Sequence, residues 1–371
     1  MKKVLSLFLI AILAIASLSG CSLAKTGNDK KGTENASGGS ETADTKPIRI
    51  VSTFEGTCQV QTQLAYLLGF YEQEGLVEGK DYEIIDTGGA QGSELMATDK
   101  ADVAIGLIAG MLQPIENGLE IQAISGLHTG CVTLVTKGDS GINSVADLKG
   151  KTVGITALNS SQHITALRAL RFEGLSGDDV EFVVYDKDAI QEALLNGAVD
   201  AIGLGDYKAK ILERDEGAKI IFDNGTDPRL KDENCCVLWA TKKAISSKSE
   251  KLAKLVNAIR KATLWIEKNP DLAAQIQEAQ GYTLGEVSVN TELLKVYQFP
   301  TGSDELKESV DRNFKDAKIL GLLKEETSGE ELANNSFVIL DGLNDDLKES
   351  DGEPPKDPNS FLEVKETSEA K

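Results

Sequence analysis

One short phrase occurs twice in the chain and limits what it can fold into. Lys100-Ala-Asp-Val-Ala-Ile-Gly-Leu, followed by Gly118-Leu-Glu-Ile, is answered later by Ala198-Val-Asp-Ala-Ile-Gly-Leu, followed by Gly217-Ala-Lys-Ile. In both places a short acidic turn feeds an apolar strand, then a helix, a glycine and another strand. Such self-similarity predicts two lobes with the same wiring. The body that contains it, about 300 residues, also exceeds what one hydrophobic core usually supports.

Short β-branched runs alternate with helical patterns, which predicts an α/β fold with parallel-rich sheets and flanking helices. Strands are expected at Ile48 to Val51, Tyr82 to Ile85 and Asp102 to Gly106, with helices from about Gln59 to Tyr71 and up to Thr98. The second cycle runs through strand Lys151 to Ile155, helix Ser161 to Phe172, strand Glu181 to Tyr185, helix Asp188 to Asn196 and strand Val199 to Leu204. Gly174 stands where a left-handed residue ends a helix. Cys131 to Thr136 and Cys236 to Thr241 are expected to join the lobes as a two-strand hinge. The expected division is 47–136 plus 236–345 for lobe 1 and 137–235 for lobe 2. A cleft should open between the carboxyl ends of the two sheets, where ligands bind in open α/β sheets.

The termini have a different character. Lys2 and Lys3 precede an apolar run that ends in Leu18-Ser19-Gly20-Cys21. The run is too short for a membrane span, and its charged start and terminal cysteine resemble a bacterial lipoprotein signal. Residues 1–20 are therefore expected to be removed, with Cys21 lipidated and the chain anchored on the extracytoplasmic face of the cell membrane. Residues 21–46 carry almost nothing apolar and are expected to form a flexible tether, and 346–371 a disordered acidic tail. A formal charge of −20 excludes the basic footprint that nucleic-acid binding needs.

Four elements carry a family resemblance. Gly69-Phe70-Tyr71-Glu-Gln-Glu-Gly75-Leu76 resembles an early G-[FY]-[FY]-x-x-x-G-L element, and Asp147-Leu148-Lys149-Gly150-Lys151-Thr-Val153 resembles a D-L-K-G-K-x-[VI] signature. Ala193-Leu194-Leu-Asn-Gly197-Ala-Val199-Asp200-Ala201 is similar to A-L-x-x-G-x-V-D-A, and Trp265-Ile-Glu-Lys-Asn269-Pro270 to a late helix end. Their order over roughly residues 47–320 resembles solute-binding proteins of ABC importers for nitrate, sulfonates, taurine and thiamine pyrimidine precursors. The resemblance implies a type II periplasmic-binding-protein fold that closes on its solute by a hinge motion. It also implies a monomer that carries a small molecule to a membrane permease and its ATPase, with no catalysis and no cofactor.

Strand order then selects the loops that face the cleft. They contain Glu55, Thr57, Cys58 and Gln59 after the first strand, and Ala109 after the third. His128, Thr129 and Cys131 lie at the hinge. Asn159, Ser160, Ser161, His163, Asp206 and Tyr207 come from the other lobe. Asn159 or Ser160 is placed to cap the following helix, leaving backbone N–H groups for an anion; the alternative is that these are ordinary caps and turns.

The cysteines and histidines read in two ways. Cys58, His128, Cys131 and His163 all fall in expected cleft loops, and thiolate with imidazole suits zinc, copper(I) or nickel. Alternatively, an exported chain pairs its cysteines, Cys58 with Cys131 or Cys131 with one of Cys235 and Cys236, or keeps them as buried thiols. Neighbours on a strand point to opposite faces, so only one of Cys235 and Cys236 is expected in the cleft. Trp239 and Trp265 are expected in the core, as is the helical stripe Leu252, Leu255, Val256, Ile259 and Ala262.

Neither a G-x-S-x-G elbow, an H-E-x-x-H pair nor a P-loop is present. Two other functions use the same fold. One is an enzyme like the cytoplasmic thiamine-pyrimidine synthases, whose cysteine-rich motif Cys235-Cys236 resembles only in part. The other is a ligand sensor for a membrane receptor.

Overall fold

A computed structural model describes residues 46–51, 56–85, 91–283 and 285–363. The expected signal segment, the expected lipidation site Cys21 and nearly all of the expected tether lie outside them, as does Glu55. No described helix is long and apolar enough to cross a membrane.

Two five-stranded sheets form the two lobes. The first contains β1 (Ile48–Val51), β2 (Tyr82–Ile85), β3 (Val103–Leu107), β4 (Ile121–His128) and β10 (Cys236–Thr241), in the order β2-β1-β3-β10-β4. The second contains β5 (Val132–Thr136), β6 (Thr152–Ile155), β7 (Glu181–Val184), β8 (Ala201–Gly205) and β9 (Lys219–Asp223), in the order β7-β6-β8-β5-β9. β1 runs parallel to β2 and β3, and β6 parallel to β7 and β8. Each sheet takes one inverted strand in its fourth place. In the first that strand is β10, antiparallel to β3 and β4. In the second it is β5, antiparallel to β8 and β9. The repeated phrase of the sequence is thus the β3 and β8 pair, each followed by a helix and the outer strand β4 or β9.

The chain changes lobes twice, over 129–131 and over 224–235. Here the expected division needs correcting. Val132–Thr136 belongs to lobe 2 and not to lobe 1, because it pairs with β8 and β9. Its run Val-Thr-Leu-Val-Thr announces a buried strand but not which sheet it joins.

Helices cover both sheets: α1 (Val60–Leu67), α2 (Phe70–Gln73), α3 (Gly92–Ala97), α4 (Ile108–Glu116), α5 (Ser161–Phe172), α6 (Ile190–Leu195), α7 (Asp206–Glu216), α8 (Lys242–Lys268), α9 (Pro270–Ala279), α10 (Val287–Val296), α11 (Ser303–Ile319) and α12 (Gly329–Asn334). Helix α8 buries the stripe expected of it, Leu252, Leu255, Val256, Ile259 and Ala262, against the core of lobe 1. Near its start the backbone kinks at Lys248, whose buried ammonium donates to Asp102 (2.9 Å) and the Pro47 carbonyl (2.8 Å). Arg49 reaches the same carboxylate from β1 at 2.8 Å, so Asp102 is held below the usual carboxylate range by these cations although burial opposes it.

The tail also departs from expectation. Residues 346–363 are not a loose extension but a strap across lobe 1. Gly352 sits so close to α8 that a Cβ there would meet that of Leu264 at 2.8 Å. The Lys356 N–H donates to the Leu68 carbonyl (3.1 Å), its ammonium pairs with Glu72 (2.8 Å), and Gln280 donates to the Phe361 carbonyl (2.7 Å). Hydrogen bonds and ion pairs fix most of the strap, with only Phe361 and Leu362 near its end packed on the lobe 1 core, so its composition looks disordered. Residues 364–371 lie outside the described residues.

Candidate functional site

The two lobe-to-lobe crossovers bring a thiol and imidazole cluster together. Cys58 enters on the turn before α1, His128 ends β4, Cys131 leads into β5, and Cys235 and Cys236 lead into β10. The ligand atoms of Cys58, His128 and Cys236 lie within 4.8 Å of one another, as do those of Cys131, Cys235 and Cys236. Cys131 Sγ stands 3.5 Å from Cys236 Sγ and 3.9 Å from the His128 ring nitrogens. His128, Cys131 and Cys236 are buried, and Cys58 and Cys235 partly so.

All four of these cysteines are free, so the expected disulfides are not formed, while the alternative of buried thiols agrees with Cys131 and Cys236. Cys235 and Cys236 do not split to opposite faces either. β10 begins only at Cys236, and its ladder with β4 shifts register between Cys236 and Val237, so the alternation rule does not apply.

The cluster polarises itself. Hydrogen bonding from Cys236, aided by the His128 imidazole, brings the Cys58 thiol down to about 5 in spite of burial. Cys131 and Cys236 thiols and the Asn224 amide (3.6 Å) hold Cys235 well below the ordinary thiol range, while Cys131 and Cys236 as donors are pushed up. Burial alone would lower His128, but the neighbouring Cys58 sulfur and the Thr129 carbonyl raise it. The His128 Nδ1 lies 2.8 Å from that carbonyl, which makes it the protonated nitrogen of the neutral ring.

Around the cluster the lobes are closed on each other. Tyr297 of lobe 1 stacks on the His128 ring at 4.5 Å and donates its hydroxyl to Asp206 of lobe 2 at 2.6 Å. Burial lifts Asp206 to about 6, against the pull of that hydroxyl. Tyr207 accepts from the Glu286 N–H (2.9 Å), and Arg214 pairs with the Glu286 carboxylate (2.7 Å). On the opposite rim Arg168 of α5 forks onto Glu233 (2.6 and 2.9 Å) and reaches Asp316 of α11 (2.8 Å). The crossover has little slack, since a Cβ on Gly130, at φ +92°, would meet the Tyr297 ring at 2.9 Å.

The other expected residues divide. Thr57 is buried and bonded to Asn290, and Thr129 accepts from the Gln298 N–H (3.2 Å), so both serve the local scaffold. Gln59 is buried at the start of α1. Ala109 lies in the first turn of α4, where Gly110 faces Ser161 of α5 closely enough that a Cβ would stand 2.9 Å from its Oγ. Ser160 is the N-cap, accepting from the His163 N–H at 3.3 Å. His163 does not join the thiols. Its Nδ1 accepts from Asn159 N–H (3.0 Å), its ring meets Phe182 edge-on, and burial lowers it. Sequence reasoning missed Tyr297, Asn224, Arg168 and Glu233, which occupy no recognisable motif. A cavity of about 630 Å³, lined by Ser93, Met96, Pro114 and Thr241, lies on lobe 1 and touches none of the cluster.

The profile of the family described as "NMT1/THI5 like" matches residues 61–273. No curated protein matches the chain in sequence. Among solved structures, the alkanesulfonate-binding protein SsuA of Xanthomonas axonopodis pv. citri bound to MOPS is similar at 17% identity and TM-score 0.62, over 78% of this chain and 99% of that one. A putative periplasmic sulfonate-binding SsuA of Methylobacillus flagellatus KT shows 22% identity and TM-score 0.62, over 80% and 93%. The periplasmic nitrate-binding protein NrtA of Synechocystis PCC 6803 shows 11% identity and TM-score 0.62, over 80% and 87%. The two lobes therefore have the periplasmic-binding-protein fold that the four motifs implied. With its profile matched across more than half its length, the chain belongs to the NMT1/THI5-like family.

Proposed function

We propose that the chain is the solute-capturing subunit of an ABC importer, monomeric, lipid-anchored through Cys21 on the extracytoplasmic face of the membrane. The observation that carries this reading is the pair of crossovers lined by polar side chains and shut by contacts between lobes, above all Tyr297 with Asp206. A solute enters by breaking such contacts and is held when they re-form, and the closed shape is what a permease can recognise. Capture needs no reaction, so the chain acts as a binding protein and not an enzyme. The sulfonate and nitrate named for the structural neighbours supply the kind of role, not this chain's solute.

Uptake and fractionation test it. Deleting the chain while leaving the permease intact is expected to abolish high-affinity uptake of one solute. Cys21→Ala is expected to move the chain from the membrane to the soluble fraction. Unchanged uptake of every anion, sulfonate and metal ion offered would remove the transport role, and continued membrane association of Cys21→Ala would remove the anchor.

A further inference from the structure

Five soft-ligand side chains, drawn from three separate parts of the sequence, meet at the two crossovers, at the edge of the lobe 1 core. We propose that they form a cargo site for one thiophilic d10 cation, Zn²⁺ or Cu⁺, bound by Cys58, Cys236 and His128 Nε2 with Cys131 as fourth ligand and Cys235 beside them. The proposal deepens the solute-capture reading, on which it rests for the word cargo, by naming the ligand class.

Spacing is the first argument. A tetrahedral ion with metal–sulfur bonds of about 2.3 Å sets its sulfurs about 3.8 Å apart and its sulfur and nitrogen slightly closer. The Cys131–Cys236 and Cys131–His128 separations are 3.5 and 3.9 Å, and the Cys58, His128, Cys236 trio falls within 4.8 Å. Small side-chain rotations would close the remaining difference.

Orientation is the second. Metal-bound histidines commonly donate their other ring N–H to a carbonyl, which fixes tautomer and ring direction. His128 does this to Thr129 at 2.8 Å, with Tyr297 stacked on its face. Cys131 adds a third point, since it holds φ at +92°, a conformation rare outside glycine. Such a residue persists where its surroundings over-determine it, and here its sulfur lies among the other ligands. Sulfur with imidazole selects soft or borderline cations over magnesium or calcium, which prefer oxygen.

The position favours transfer over permanent retention. His128 and Cys58 belong to lobe 1, Cys131 and Cys235 to the crossovers, and Tyr297 links the His128 face to Asp206 of lobe 2. Parting the lobes would uncover the cluster. Binding replaces thiol protons by the metal and so releases protons to solvent.

The test uses the full-length chain, reduced, stripped of metal and kept anaerobic. Zn²⁺ is titrated against a chromophoric chelator, Cu⁺ likewise, and Co²⁺ serves as a spectroscopic reporter of tetrahedral thiolate ligation. The expected result is one ion per chain, visible Co²⁺ bands that Zn²⁺ bleaches, and proton release on binding. Cys236→Ser and His128→Gln are expected to weaken Zn²⁺ by at least about 100-fold, more than loss of an outer partner does. The partly buried Cys58→Ser is expected to keep the native circular dichroism and show a similar loss, and His163→Gln to bind normally. Absence of stoichiometric Zn²⁺ and Cu⁺ binding, or undiminished binding by folded Cys58→Ser, would overturn the site. A chain that binds an organic solute but no metal overturns the site and leaves the import reading standing. A chain that binds metal but is dispensable for all uptake overturns the import reading and leaves the site.

Discussion

Arg168→Ala is expected to destabilise the closed molecule by about 3 kcal/mol or more and to shift it toward an open form, because it strands two buried carboxylates. The Arg168, Glu233 and Asp316 side chains are only 6, 6 and 10% exposed, so none of them is well solvated as the lobes stand. Glu233 would keep the Asn313 amide (2.8 Å) and Arg312 (3.6 Å), and Asp316 would keep Arg171 (3.0 Å), which places the cost toward the lower end of the 3–5 kcal/mol typical of a broken buried pair. Parting the lobes lets water reach both carboxylates and relieves most of that cost. Small-angle scattering should therefore report a larger radius of gyration, and urea unfolding an earlier midpoint. Arg168→Lys keeps the charge but not the fork and should fall between. An unchanged radius together with an unchanged midpoint would show that this network does not hold the lobes shut.

The second large effect is expected deep in lobe 1. Trp239 is fully buried in β10 and donates its indole N–H to the Gly106 carbonyl at 3.2 Å. Trp239→Ala removes the largest side chain of that core, at a cost of about 3–5 kcal/mol through lost burial and the cavity left behind. Trp239→Phe retains most of the packing and forfeits mainly the hydrogen bond, so about 1–2 kcal/mol is expected. Urea midpoints with an unchanged slope check both values. A cost below that of the phenylalanine variant would mean that the core around Gly106 and Met111 collapses to fill the space.

The fold was largely legible in the sequence because its signals are local. Alternating strand and helix patterns around Ile48–Val51, Thr152–Ile155 and Ala201–Gly205 report burial directly, and the repeated phrase reports the shared wiring. Two features lacked a local signal. Which sheet receives β5 depends on its partners, β8 and β9, both later in the chain. The strap of 346–363 is held by pairs such as Lys356 with Glu72, far apart in sequence, and reads as disordered for that reason.

The site shows the same limit. Strand order alone puts Cys58, His128 and Cys131 in loops that converge, and their side chains do come together with Cys236. His163 stands in an equivalent loop, yet its backbone partner Asn159 and its contact with Phe182 absorb it. The joint approach of Cys235 and Cys236 depends on a register shift that no residue type announces. Tyr297, which links histidine to aspartate across the lobes, follows α10 in a segment without periodicity and is 91 residues from Asp206.

Native mass spectrometry of the full-length chain isolated from cells that express it, wild type beside Arg168→Ala, tests capture between the lobes most directly. Capture predicts a single small adduct, ion or solute, on the wild-type chain and a much lower occupancy on the opened variant. A bare wild-type chain under every growth condition, or an adduct retained equally by Arg168→Ala, would contradict it.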